Sequence, residues 1–368
     1  MSKNVSSDYI IAWIGRIVKE NSAPEVTLIF AKHINKNLLP HSSNPCYNKN
    51  QEPVMSRKDT NINEKTKKLT VPEIIDYCKN ELGITFNLMD EEKAVEFLKK
   101  NNTFFRLKLY CSTCTERTKT GKYIGLDFGH LVELSTIDMF LRKLLLKMTI
   151  DLEHNLKVKL VNDCQNNLAD DGYEVVEKFL ESHPKTKDGL AQFIKISNYG
   201  GNSFDRYIAC PAVWNFVEMI GFADFISFYA FYYDFMRMKC EYTKHFESVR
   251  RIRNACAHNV CMLSSFKPVQ VFKSDIETNF ELLGGNLGVG NGIISTCMKV
   301  PLLNDFAVML SVYTKLISSP RIKEMTLKEI KDFFVGRMIY RKQYFENKTD
   351  IKNAYSFAKA VLEYYSAK

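Results

Sequence analysis

The chain has 368 residues, with 51 lysines and arginines against 42 acids and a formal net charge of +9. At 45% hydrophobic and 12% aromatic it can bury a large core, which excludes wholesale intrinsic disorder. Sixteen glycines and ten prolines are few for this length and favour helices over strand-and-turn architecture, while the positive excess suits an anionic partner such as nucleic acid.

Taken in chain order, Asp8 to Leu39 shows helical apolar spacing broken at Pro24, and Pro40 to Lys68 is a polar, lysine-rich linker. A helix is predicted to open at Thr70, with Pro72 in its first turn, and another after Asp90 as N-cap. Asn102 to Tyr110 is aromatic and basic, and its Arg106 and Lys108 are candidate RNA contacts. Cys111 and Cys114 form a Cys-x-x-Cys with no second pair of suitable spacing. It reads as a loop with two thiols, and no metal site is expected. The remaining cysteines, several in apolar helical stretches (Cys210, Cys240, Cys256), suit reduced thiols in the cytoplasm.

His130 to Leu168 repeats Leu134, Ile137, Leu141, Leu145, Met148, Leu152 and Leu156 at three- and four-residue intervals, the signature of a long amphipathic helix. Short helices are expected on either side of Pro184. Pro211 to Met236 is strongly apolar but holds Glu218, Asp224 and Asp234, so it predicts a core helix, broken at Gly221, and no membrane span. Tyr242 to Met262 is helical. Gly284 to Gly292 is glycine-rich without a following Gly-Lys-Ser/Thr, so it predicts a loop and not a P-loop. Helices follow at Asn304–Ser318, Thr326–Tyr340 and Asp350–Ala367.

One segment carries chemistry. Between Phe246 and Cys261 the chain gathers Arg250, Arg251, Arg253, Asn254 and His258. An imidazole moves protons near neutral pH, and a guanidinium binds phosphate and stabilises charge developing on it. Together they suffice for RNA cleavage without a metal. Asn254 and His258, four residues apart, share a helix face, and Arg250 and Arg251 fall on the same side. Arg253 lies about 140° away on an ideal helix, so it meets His258 only if the helix end bends or a second copy supplies the partner. Arg251 has the better face and Arg253 the position directly before asparagine. Basic residues in the last turns of a helix also complement its negative end, and the same cluster has that purely structural reading.

Arg253-Asn-Ala-Cys-Ala-His258 resembles the Arg-x4–6-His motif of HEPN domains, in the form found in bacterial abortive-infection (Abi) proteins of the AbiD/AbiF type. Two further segments resemble that family. One is the helix with Asp138, Leu141-Arg142, Ile150 and Glu153; the other is Pro211 to Phe222, with Trp214 and Glu218. The resemblance implies an all-α, HEPN-like helical bundle with added N- and C-terminal helices. The expected division is 1–69 (helical segment and linker), 70–320 (HEPN-like core) and 321–368 (C-terminal helices packing on the core).

The resemblance further implies a metal-independent endoribonuclease in phage defence, active as a homodimer, without cofactor or membrane, and with a structured non-coding RNA as a plausible partner. Arg253 would stabilise the transition state, His258 would act as acid and base, and Asn254 would orient them. Arg250, Arg251, Arg106 and Lys108 would bind RNA. Val260 stands where HEPN toxins often carry tyrosine. The alternatives are a catalytically silent RNA-binding module and a helical interaction component of a defence complex.

Overall fold

The computed structural model describes residues 68–196, 204–240, 242–269 and 287–367, within the unit Lys68–Lys368. The Asp8–Leu39 helices, Lys65 and Lys67, and part of the glycine-rich run lie outside the described residues. Among the described residues the structure is helical, with only two isolated β-bridges, Thr85–Asp127 and Arg117–Tyr123.

The helices in order are α1 (Val71–Asn80), α2 (Glu91–Lys100), α3 (Phe104–Leu109), α4 (Cys111–Cys114), α5 (Phe128–Asn166), α6 (Glu174–Ser182) and α7 (Pro184–Ile196). They continue with α8 (Val213–Met219), α9 (Phe222–Phe235), α10 (Phe246–Ala257), α11 (Asn291–Cys297), α12 (Pro301–Leu316), α13 (Pro320–Val335) and α14 (Thr349–Ser366).

Local chemistry sets the ends. Thr70 and Glu73 form a capping box on α1, with proline in the first turn. Asp90 caps α2 by accepting from the Lys93 N–H at 2.8 Å. Asp127 caps α5, accepting from the Gly129 N–H at 2.8 Å, and its other oxygen accepts from Thr85 Oγ1 and the Asn87 N–H. His130 Nδ1 accepts from the Asp127 N–H, and burial lowers the His130 pKa. The apolar stretch after Pro211 splits into α8 and α9 at Ile220–Gly221, as its glycine predicts.

Several expectations are corrected. Cys111–Cys114 is one helical turn, not a loop, and both thiols are buried. Burial pushes the Cys111 thiol up to about 11. Cys210 is exposed and Cys240 half-buried, both outside helices. Helix α13 begins at Pro320, six residues before the expected Thr326, because proline suits the first turn and Ser319 Oγ accepts the Ile322 N–H. It ends at Val335, short of Tyr340. Within the glycine-rich run, helix α11 starts directly after Gly290.

The core is built on α5, α10, α12 and α14. Every residue of α12 from Leu303 to Tyr313 is buried, so this helix is enclosed on all sides, with Asn304, Asp305 and Ser311 buried among its apolar residues. Helix α5 buries Leu134, Ile137, Leu141, Leu145, Met148, Leu152 and Leu156 along one stripe. Among the described residues no single helix is long and apolar enough to cross a membrane.

Candidate functional site

Helix α10 turns Phe246, Val249, Ile252 and Cys256 inward, where Phe246 meets the Tyr229 ring edge-on with centroids 5.0 Å apart. The same geometry sends Glu247, Arg250, Arg251, Arg253 and Asn254 round the other side. The structure then separates the three arginines by their partners.

Arg250 is held by Glu247 through two bonds, Nε to Oε2 at 2.9 Å and Nη2 to Oε1 at 2.6 Å, which raises the Arg250 pKa. Arg251 makes a two-pronged contact with Asp305 of α12, Nε to Oδ2 at 2.9 Å and Nη2 to Oδ1 at 2.7 Å, and also donates to Ser248 Oγ. Asp305 is 4% exposed. Burial raises its pKa, and Arg251 works against that rise. Arg251 is therefore a structural bridge between α10 and α12, because Asp305 is a buried carboxylate that needs a cation. Arg253 is engaged otherwise: Nη1 donates to Asn254 Oδ1 at 3.3 Å, and its guanidinium lies 5.9 Å from the centre of the Phe222 ring. None of the described residues gives Arg253 a carboxylate partner.

The helical stretch expected to run to Met262 stops at Ala257. His258 is the C-cap, its N–H bonded to the Asn254 carbonyl at 2.9 Å, and Asn259 takes φ +56. The Asn259 N–H reaches the Cys256 carbonyl at 3.1 Å and the Val260 N–H reaches the Ala255 carbonyl at 2.8 Å. This is a Schellman ending, with asparagine in the left-handed position. The helix thus bends away directly after His258, whose exposed ring makes no side-chain hydrogen bond among the described residues.

The turn after His258 is fastened from three elements. Arg106 of α3 donates from Nη1 to the Asn259 carbonyl at 2.6 Å. Arg142 of α5 donates to the Val260 carbonyl at 3.1 Å and is ion-paired with Asp138 one turn earlier. Asp138, fully buried, accepts the Leu263 N–H at 2.8 Å and the Tyr110 hydroxyl at 2.9 Å. Thr113 Oγ1, on α4, donates to the Leu263 carbonyl at 3.0 Å. Of the expected RNA contacts, Arg106 is thus brought to the motif turn. Lys108 points elsewhere, its ammonium 5.7 Å from the centre of the Tyr77 ring.

The remaining family-like residues join other elements. Lys157 Nζ lies 3.4 Å from both Glu153 and Glu218, tying α5 to α8. Trp214 covers Gly172, where φ is +75 and an added Cβ would fall 2.5 Å from the indole Cζ3. Sequence reasoning missed Asp305 and Asn259. Asp305 carried a signal, the one acid in a mainly apolar helix.

Among the described residues no group of three or more His, Cys, Asp or Glu side chains is placed to hold a metal ion.

An all-helical protein with an arginine–histidine helix end, clamped by an Asp–Arg pair on the longest helix, is the class these observations define. Residues 96–264 match the model of the Abi-like protein family. The matched stretch contains Asp138, Arg142, Trp214, Glu218, Arg253 and His258, and it ends at Ser264, whose carbonyl accepts from Ser112 Oγ. The family supports a role in abortive infection, a phage-defence response. No curated protein and no solved structure matches the chain.

Proposed function

We propose that the protein is a metal-independent endoribonuclease of abortive infection, of the HEPN kind, with Arg253, Asn254 and His258 as its reactive set. The observation that carries this reading is the sorting of the arginines. Arg250 and Arg251 are taken by carboxylates, while among the described residues Arg253 has a side-chain amide and an aromatic face and no acid. An arginine without an acid keeps its donors for a phosphate.

In this reading an RNA phosphate lies against Arg253. The 2′-hydroxyl oxygen attacks phosphorus, the bond to the 5′-oxygen breaks, and the products are a 2′,3′-cyclic phosphate and a 5′-hydroxyl. His258 serves one of the two proton transfers. Arg253 offsets the charge that builds on the equatorial oxygens. The Asn254 amide, already bonded to Arg253, holds the guanidinium in place. The second proton transfer needs a second group, which a homodimer supplies by facing two copies of the motif. RNA is the substrate, and a structured RNA partner fits the net charge of +9.

The test is cleavage of RNA by the full chain in EDTA. His258→Ala and Arg253→Ala are each expected to lower the rate at least about 100-fold, the size of a lost general acid–base or charge-stabilising group. The 5′ fragment should carry a cyclic phosphate. Cleavage that survives both substitutions overturns the assignment. Tight, salt-sensitive RNA binding by a wild-type chain that does not cut would instead support the RNA-binding module.

A further inference from the structure

A cavity of about 440 Å³ lies between α5, α12, α13 and α14. That is within the range of small-molecule sites, about 300–1,000 Å³. Its wall is apolar throughout its depth, including Leu141, Leu263, Phe306, Phe334 and Ala358. The lining residues that are exposed are Lys342, Glu346 and Lys352, so the cavity opens where they stand. Lys352 Nζ donates to the backbone carbonyl of Glu346 at 3.3 Å, and neither lysine is ion-paired among the described residues. An apolar cavity with two lysines and one glutamate where it opens has a net positive entrance.

We propose that this cavity is a binding site for a free single-chain amphiphile with an anionic head, of the fatty-acid class. The hydrocarbon chain fills the apolar depth, where leaving water is favourable in proportion to the area covered. The carboxylate stays at the mouth with Lys342 and Lys352, where it keeps part of its hydration and gains two charge-assisted hydrogen bonds. A neutral hydrocarbon lacks the second contribution, and a cationic amphiphile opposes it.

The site touches the motif turn. Leu263 lines the cavity, and its N–H is the one bonded to Asp138. Leu141 lines it from α5, beside Arg142. A chain packed against both side chains limits their motion and supports the turn that follows His258.

The experiment is calorimetric titration of the full chain with dodecanoate below its micelle concentration, alongside dodecyltrimethylammonium and butyrate. One saturable site per chain is expected for dodecanoate, with affinity at least about tenfold weaker for the cationic amphiphile and no saturation by butyrate. The double variant Lys342→Glu, Lys352→Glu changes only exposed side chains and should reverse the headgroup preference. Ala358→Phe should abolish binding by filling the cavity, with near-ultraviolet circular dichroism confirming the fold. Hydrogen exchange at Leu263 should slow when dodecanoate is bound. Absence of saturable binding overturns the proposal, as does equal affinity for both head charges. No RNA enters the titration, so its outcome is separate from that of the cleavage test.

Discussion

Asp138 and Arg142, one turn apart on α5, form an ion pair in which each member also holds the same short piece of backbone. Asp138 accepts from the Leu263 N–H, and Arg142 donates to the Val260 carbonyl. The pair thus holds both ends of the short turn that follows His258. An acid and a base one turn apart on a long helix could be read as reactive groups, yet both are buried and hold the turn after His258.

The pair predicts a large stability effect. Removing one member strands the other in the core, which costs about 3–5 kcal/mol. Asp138→Ala and Arg142→Ala should each destabilise by that amount in denaturant unfolding. The double variant should cost clearly less than the sum of the two, because the second substitution removes the stranded charge. Additive effects would show that the two side chains do not act as a unit.

Arg251 and Arg253 should separate stability from activity. Arg251→Ala leaves Asp305 buried without its cation and should lower stability by about 3 kcal/mol, while Arg253→Ala should change it by less than about 1 kcal/mol. RNA cleavage per folded molecule should show the reverse order. Only Arg253→Ala should remove it at temperatures where both variants are folded.

Asp305 also gives a pH dependence with a definite sign. Burial raises its folded pKa above the ordinary carboxyl value. The folded chain therefore binds this proton more tightly than the unfolded chain, and stability falls as pH rises from the unfolded value through the folded one. Asp305→Asn should flatten that fall. Arg251→Ala, which removes the group holding the pKa down, should extend it to higher pH. Unfolding free energies across the acid range, wild type against the two variants, check the sign.

Gly172 and Trp214 are coupled by contact. Gly172→Ala places a methyl group against the indole at a φ of +75 and should cost about 2–4 kcal/mol through overpacking and backbone strain. In a Trp214→Ala background the overpacking disappears and only the backbone cost, about 1 kcal/mol, remains. A double-mutant cycle by thermal unfolding measures the difference.

Asn259 should tolerate glycine and reject branched residues. Its φ of +56 is the left-handed region that asparagine and glycine enter most easily. Asn259→Gly should leave stability within about 0.5 kcal/mol, and Asn259→Val should lose about 1–2 kcal/mol. Cleavage by the valine variant should fall further than its folded fraction, because the turn sets where His258 stands.

Helices were readable from the sequence because apolar spacing of three and four is a local property. The stripe Leu134 to Leu156, the caps at Thr70 and Asp90, and the break at Gly221 all follow from residues within a few positions of one another. The arginine–histidine segment was readable as a composition, and its resemblance to Abi proteins agrees with the Abi-like family match over residues 96–264. What each arginine does was not readable. Arg251 and Arg253 differ by two positions, and their fates differ because Asp305, 54 residues after Arg251, arrives beside one of them on α12. Likewise the clamp on residues 259–264 draws Arg106, Thr113, Asp138 and Arg142 from three separate helices. Local residue patterns were enough for a helical chain with one segment rich in arginine and ending in histidine. Tertiary packing decided which charges were buried and had to be neutralised, and so which arginine was paired with a buried carboxylate and which was not.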